Sequence, residues 1–314
     1  MIQPPAGKGR GSLLTMVSAP QVGREGHEIK IFSLVGGKGD PVIFLPGMGW
    51  TAESSGLLTG ILEERYCLHR LDLPGMGRSE PLKHIAGWKD LALWLREYLM
   101  QHDWERVRII GHSMGGLMAL AFADQFPEQV YQLVLLDAGY QAIPRFPQNV
   151  AKPLRYFVPL ANMVASLGGV EWVTRWLLSN DKEHSSNLVP VSFDAAQVEK
   201  EFQEFVENEH LLITNELREA FYIAHKVIRL NAGTMKLLLG FYRTKPVSAF
   251  NRLKPPTLLV VPEHMTHHPS LTQIDEKGLP VLLYEVKGGH YVHYSHPEIG
   301  YVIRDFFDHW TKEF

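Results

Sequence analysis

Five short apolar runs punctuate the chain, each bounded by Gly, Pro or a charged residue: Val42–Leu45, Val107–Ile110, Gln132–Leu136, Thr257–Val261 and Val281–Val286. They are rich in β-branched residues, and runs of this length predict strands buried on both faces, as in a mostly parallel sheet. Between them apolar residues recur at helical spacing. Trp88, Leu91, Leu95, Tyr98 and Leu99 share one helix face, and Leu117, Leu120, Ala121 and Phe126 make a second stripe. Strands alternating with helices predict a doubly wound α/β sheet. The alternation stops after Asp137. From 139 to 250 the pattern is helical, with stripes at Val170–Leu178, Ala195–Asn208 and Leu217–Asn231, and strand signals resume at Pro256. The pattern therefore predicts a helical insertion between two strands of the sheet. PGMG occurs at 46–49 and again at 74–77; it reads as two similar turns after strands rather than as an internal repeat.

Composition changes this picture little. The chain's 314 residues suit one large α/β domain with an insertion. With 45% hydrophobic and 21% charged residues it reads as a soluble globular protein, and a net charge of −3 argues against a nucleic-acid partner. Cys67 is the sole cysteine, so no internal disulfide can form and a reducing compartment is allowed. No apolar run approaches the ~20 residues of a membrane span. Residues 1–22, rich in Gly and Pro, lack the apolar stretch of a secretory signal and read as a flexible arm, with Met16 an alternative start. The expected location is cytoplasmic.

The strongest chemical signal is Val107-Arg108-Ile109-Ile110-Gly111-His112-Ser113-Met114-Gly115-Gly116. A predicted strand runs into G-x-S-x-G and a helix follows at once. That geometry lifts a serine hydroxyl above the sheet edge on a strained turn and aims the new helix's N–H groups at any anion formed there. A bare serine N-cap would explain the serine alone, but not the flanking glycines between strand and helix. A serine hydroxyl needs a base. Among 15 histidines, His290 ends Val286-Lys287-Gly288-Gly289-His290, just after the last predicted strand, and a helix is expected near His296-Pro297-Glu298. Loops at the carboxyl ends of parallel strands share one side of the sheet, so His290 is placed to reach Ser113. His293 with His296, and His264 with His267 and His268, look superficially like metal clusters. Neither group has a carboxylate or cysteine at ligand spacing, so no metal and no cofactor are expected.

These segments resemble the α/β-hydrolase superfamily, in particular its cap-bearing esterase, lipase-like and carbon–carbon-bond hydrolase members. The resemblance covers about residues 28–314 and rests on FLPGMG at 44–49, LDLPGMGRS at 71–79, IGHSMGG at 110–116, LVLLDA at 133–138, PPTLLVV at 255–261 and GGHYVHYSHPE at 288–298. It implies an α/β-hydrolase core over 23–138 and 251–314, with a helical cap over 139–250 inserted after the family's sixth strand. It also implies an oxyanion hole from the backbone N–H groups of Met114 and Met48, the latter in the loop Pro46-Gly47-Met48-Gly49, where relatives usually carry His-Gly. Asp72 and Arg78 lie in a loop similar to one that lines the family's site, and read as braces for that loop.

The triad acid stays open. Most relatives carry it after the seventh strand, where this chain has Val261-Pro262-Glu263-His264-Met265 and places Met265 at the expected Asp. Asp137, at a strand end used by some relatives, is the favoured acid; Glu263 is the alternative, followed by Asp275 or no acid. The cap's Tyr156, Phe157, Trp172, Trp176, Leu177, Phe221, Tyr222, Phe241 and Tyr242 read mainly as its own core, with a few lining an apolar pocket. The expected function is a serine carboxylesterase acting on small or medium apolar esters. Carbon–carbon-bond, lactone or peptide hydrolysis and acyl transfer use the same residues. A ligand-binding protein that kept the fold and lost catalysis is the reading of another class.

Overall fold

The computed structural model describes residues 29–141, 156, 158–170, 172, 194–229, 231–242, 244–276 and 278–310. Seven strands, β1 (Ser33–Gly36), β2 (Pro41–Leu45), β3 (Cys67–Leu71), β4 (Val107–His112), β5 (Val130–Leu136), β6 (Thr257–Pro262) and β7 (Val281–Val286), form one sheet in the order β1-β3-β2-β4-β5-β6-β7. β1 runs antiparallel to β3 and every other pairing is parallel. The strand counted sixth in the family's frame is thus the fifth in chain order among the described residues.

Strand alternation divides the core in two. Ile43, Leu45, Ile109, Leu133, Leu135, Leu259 and Val261 point to one face, where α2 (Trp88–Gln101) and α3 (Ser113–Gln125) cover them. Val42, Phe44, Ile110, Val134, Leu136, Leu258 and Val260 point to the other, under α1 (Leu58–Leu62) and the last helix, Ile299–His309. With a layer on each face, the central strands have no polar side to show, which is why they read as continuous apolar runs.

The apolar runs locate β2, β4, β5, β6 and β7. They pass over β1 and β3. In β3, Cys67-Leu68-His69-Arg70-Leu71, the polar residues are buried with partners: His69 Nδ1 lies 2.8 Å from the Tyr98 hydroxyl and Arg70 pairs with Glu63 at 3.2 Å. A strand whose buried positions are polar carries no hydrophobic signature. The Cys67 thiol is half-buried beside His69, and burial raises its pKa. β7 is an edge strand, and its Leu282 and Leu283 remain exposed.

Between β5 and β6 the described elements are all helical, including Val158–Val164, Ala195–Glu209, Asn215–Val227, Ala232–Tyr242 and Pro246–Phe250. Asp194 caps the second of these, accepting from the Ala196 and Gln197 N–H groups, and Thr214 caps the third, accepting from Leu217 N–H. The cap aromatics divide by role. Phe241 enters the core of the sheet, Phe221 and Tyr222 join an aromatic cluster near the sheet's edge, and Tyr156 and Trp172 are exposed. Phe157, Trp176, Leu177 and the arm at 1–22 lie outside the described residues, as does most of the Val170–Leu178 stripe. Among the described residues no helix is long and apolar enough to cross a membrane.

One buried charge network holds the loops that follow β2 and β3. The fully buried Asp72 accepts from the Ala52 and Arg78 N–H groups at 2.8 Å each and from Arg78 Nε at 2.7 Å, while Arg78 forks onto both Glu53 oxygens at 2.8 Å. Asp72 and Arg78 are braces. Removing one member strands a buried charge, so Asp72→Ala should lower unfolding free energy by about 3–5 kcal/mol in a urea titration.

Candidate active site

β4 passes directly into α3, and the junction falls at His112-Ser113. Ser113 takes a left-handed φ of 51°, which is costly for any side chain but glycine. The turn is tight because α3 starts against the loop after β2: a Cβ at Gly115 would sit 2.3 Å from the Leu45 carbonyl oxygen and 2.4 Å from that of Pro46. On the other side of that loop, a Cβ at Gly47 would lie 2.9 Å from His112 Nδ1 and 3.3 Å from Ser113 Cβ. Pro46-Gly47-Met48-Gly49 therefore runs beside the serine, and a bond of 3.3 Å from Trp50 N–H to the Gly47 carbonyl closes its turn. Met48 is exposed on that turn; Met114 is buried in the first turn of α3, where backbone N–H groups have no helical partner.

Asp137 follows β5 without a spacer, and its N–H is bound to the Val260 carbonyl of β6 at 2.8 Å. It too is left-handed, with φ 45°. His290 stands in the loop after β7, and its Nδ1–H donates to Asp137 Oδ2 across 2.6 Å. The other carboxylate oxygen, Oδ1, accepts the hydroxyl of Tyr140. The acid is nearly closed to solvent, with 6% of its side chain exposed, whereas His290 keeps 39%. His290 also lies against the residue before the serine: its ring centroid is 4.7 Å from that of His112, and His112 Nε2–H donates to the His290 carbonyl at 3.1 Å. Among the described residues, Ser113 Oγ makes no hydrogen bond to the ring.

Glu263 is exposed, in a short turn after β6, and Met265 packs against the sheet core, so the usual acid position is filled by apolar packing. The side chain of Asp275 lies outside the described residues. Three other histidines of the candidate clusters have partners of their own. His293 is buried and donates Nε2–H to the Ser54 carbonyl at 3.0 Å; His296 contacts the Lys287 carbonyl and Glu298; His268 accepts from Ser270 N–H at 3.2 Å. Among the described residues no three or more His, Cys, Asp or Glu gather as metal ligands.

Three parts of the site have no clear mark in the sequence. His112 and Tyr140 support His290 and Asp137 respectively. An aromatic wall, Trp50, Phe205, Phe221 and Tyr291, joins the loop after β2 and the loop after β7 to the inserted helices. The Trp50 ring lies tilted 5.6 Å from Phe205 and edge-on 5.7 Å from Tyr291, and its Nε1–H reaches the Tyr291 hydroxyl at 3.3 Å. The available hint was adjacency, since His112 and Tyr291 directly flank Ser113 and His290.

The Alpha/beta hydrolase family profile matches residues 42–300, most of the chain. The chain belongs to that family. Curated relatives align with a shorter stretch of this hydrolase-family chain. An uncharacterized protein of Mycobacterium tuberculosis is 33% identical over 105 residues, covering 33% of this chain and 31% of its own length. The 2-hydroxy-6-oxononadienedioate/2-hydroxy-6-oxononatrienedioate hydrolase of Escherichia coli is 33% identical over 109 residues, covering 33% of this chain and 38% of its own. The chain thus matches about a third of the length of these relatives. A thermophilic esterase from Thermogutta terrifontis superposes with TM-score 0.60 over 89% of this chain and 93% of its own, at 18% identity, a likeness of fold.

Burial holds His112 neutral by drawing its pKa well below the usual value, and holds His293 at about 4 against an ordinary 6.5. The unfolded chain binds the extra protons, so these groups contribute stability that is complete above pH 6.5 and lost as pH falls toward about 4. Unfolding free energy should fall through that window, and His293→Gln should remove ~1 proton from the linkage, as read from urea titrations at graded pH.

Proposed function

We propose that this chain is a serine hydrolase that cleaves small to medium apolar carboxylic esters through an acyl-enzyme on Ser113. Ser113 Oγ attacks the ester carbonyl carbon while His290 Nε2 takes its proton. Asp137 holds Nδ1–H, fixing the tautomer and stabilising the imidazolium as it forms. The Met48 and Met114 N–H groups receive the oxyanion. The tetrahedral intermediate collapses, the C–O bond to the alcohol breaks, and His290 returns its proton to the leaving oxygen. Water deprotonated by His290 then attacks the acyl carbon, and the acid leaves as Ser113 regains its proton. Every step is acid–base and nucleophilic chemistry by side chains and backbone of this chain.

The observation that carries this reading is the 2.6 Å contact between His290 Nδ1 and Asp137 Oδ2, with the ring against the residue that precedes a strained serine. A left-handed serine on a strand-to-helix turn is strain that a mere helix cap does not require. The apolar substrate is inferred from the wall beside His290, where the partly buried rings of Phe205 and Tyr291 are backed by the buried Trp50 and Phe221. The Escherichia coli relative favours a second reading, in which the same residues break a carbon–carbon bond next to a carbonyl.

A fluorophosphonate probe should label the protein at Ser113, and the label should vanish in Ser113→Ala and in His290→Ala. Hydrolysis of p-nitrophenyl esters of graded chain length should vanish with Ser113→Ala while the fold survives. Asp137→Asn should cost roughly 10⁴ in turnover, and Glu263→Gln less than about twofold. Absence of labelling would favour a ligand-binding protein on this fold. Turnover of a vinylogous 1,5-diketone with no ester cleavage would select the carbon–carbon reading. An undiminished Asp137→Asn would remove that residue from the mechanism.

A further inference from the structure

We infer that Tyr140 is a positioning residue of the active site, holding the Asp137 carboxylate in the rotamer that presents Oδ2 to His290. The inference rests on the triad reading above and extends it by one residue. A carboxylate at the end of β5 has a freedom that one in a long loop also has: its χ2 torsion is soft, and a single hydrogen bond from the imidazole leaves it free to swing. Here each oxygen has its own donor, His290 Nδ1–H on Oδ2 and the Tyr140 hydroxyl on Oδ1. Two donors from different segments fix the plane of the group.

The tyrosine is itself held. Its side chain is fully buried in the sheet core, and its ring meets His268 edge-on at 5.6 Å. His268 belongs to the loop after β6, where the family's usual acid would stand and where Met265 packs inward instead. Tyr140 thus ties the carboxylate at the end of β5 to the loop whose usual acid position is filled by Met265. Burial and the neighbouring Asp137 charge push the Tyr140 hydroxyl far above its ordinary value, so it stays a proton donor across the working range. A purely structural tyrosine would explain the burial of the ring. It would not explain why the hydroxyl is spent on the oxygen that His290 leaves free.

The titratable groups around the pair are named readily. His112 comes from β4, Tyr291 and His293 from the segment after β7, and the Glu209 carboxylate from the helix Ala195–Glu209 approaches Gly289. None of these touches Asp137 Oδ1, so removing the tyrosine hydroxyl takes away that oxygen's donor, together with a 3.5 Å contact from Gln141 Nε2 to the hydroxyl itself. An Asp137 stripped of one donor is a stronger base, and an imidazolium facing a stronger base keeps its proton to higher pH.

The test is Tyr140→Phe, which keeps the ring and its packing on His268 and deletes only the hydroxyl. On a p-nitrophenyl ester, kcat should fall about tenfold with KM unchanged. The acid limb of the kcat–pH profile should move upward by about half a unit, and thermal unfolding should stay cooperative. Asp137→Asn and the double variant run alongside, the double losing no more than Asp137→Asn alone. A kcat within twofold of the parent, or a fall in kcat with the acid limb unmoved, overturns the inference while a collapsed Asp137→Asn leaves the triad reading standing. An active Asp137→Asn overturns the triad reading itself. Should Tyr140→Phe fold poorly, 3-fluorotyrosine at 140 keeps the donor but makes it more acidic. Its acid limb should then move opposite to that of the phenylalanine variant, and an unmoved limb counts against the inference.

Discussion

The bond between His290 and Asp137 joins residues 153 positions apart, and it can form only because three parallel strands lie side by side. β5, β6 and β7 end at one edge of the sheet. Asp137 is fastened to β6 through its own N–H, and His290 leaves β7 after a short glycine-containing loop. Parallel pairing thus converts distant stretches of chain into neighbours, and every polar contact at the site lies on that edge. A shift of register between β5 and β6 would move Asp137 along the strand axis by more than 3 Å per residue, beyond hydrogen-bond reach.

The same edge concentrates cost. Of the four non-glycine residues with positive φ among the described residues, Ser113 and Asp137 stand at the ends of adjacent strands. Buried polar side chains also gather there: His112, His293 and Asp137. His112 bonds the His290 carbonyl, His293 Nε2 bonds the Ser54 carbonyl while its Nδ1 is left without a partner among the described residues, and Asp137 accepts from His290 and Tyr140. A buried donor or acceptor without a partner costs about 1–3 kcal/mol. The apolar layers on both faces of the sheet supply the stability that tolerates this strain, and the Asp72–Arg78–Glu53 network keeps the loops after β2 and β3 in place beside it.

Near His290 the inserted helices meet the core through aromatic rings, while the helix Ala232–Tyr242 also reaches it through hydrogen bonds from Ala86 N–H to the Lys236 carbonyl at 3.3 Å and from the Thr234 hydroxyl to the Gly75 carbonyl at 2.8 Å. Phe205 and Phe221 come from two helices of the insertion, Trp50 and Tyr291 from loops of the core. Ring contacts are weakly directional beside a sheet ladder, so a wall of this kind can change its side chains without disturbing the strands. The rings can therefore vary with the insertion, while the hydrogen bonds at the sheet edge stay as they are.

Much of the framework was legible in the chain. Apolar runs give five of the seven strands: the central ones because a strand buried on both faces must be largely apolar, and β7 through an apolar run that stays partly exposed at the sheet's edge. The turn around Ser113 shows itself by glycines that no other residue could replace, as the Leu45 and Pro46 carbonyls beside Gly115 make plain. β3 escaped because His69 and Arg70 are buried polar residues whose partners, Tyr98 and Glu63, lie outside the strand, and such pairing leaves no periodic trace. Glu263 and Asp137 were both admissible on sequence, since each follows a strand at the same edge. Only the tertiary structure turns Glu263 to solvent and sets Asp137 Oδ2 against His290, and only it brings Tyr140 and His112 to bear on that pair. Hydrophobic pattern is a local property of the chain and can be read along it, but a hydrogen bond between side chains depends on distances of a few tenths of an ångström, which are set by the packing of the whole sheet.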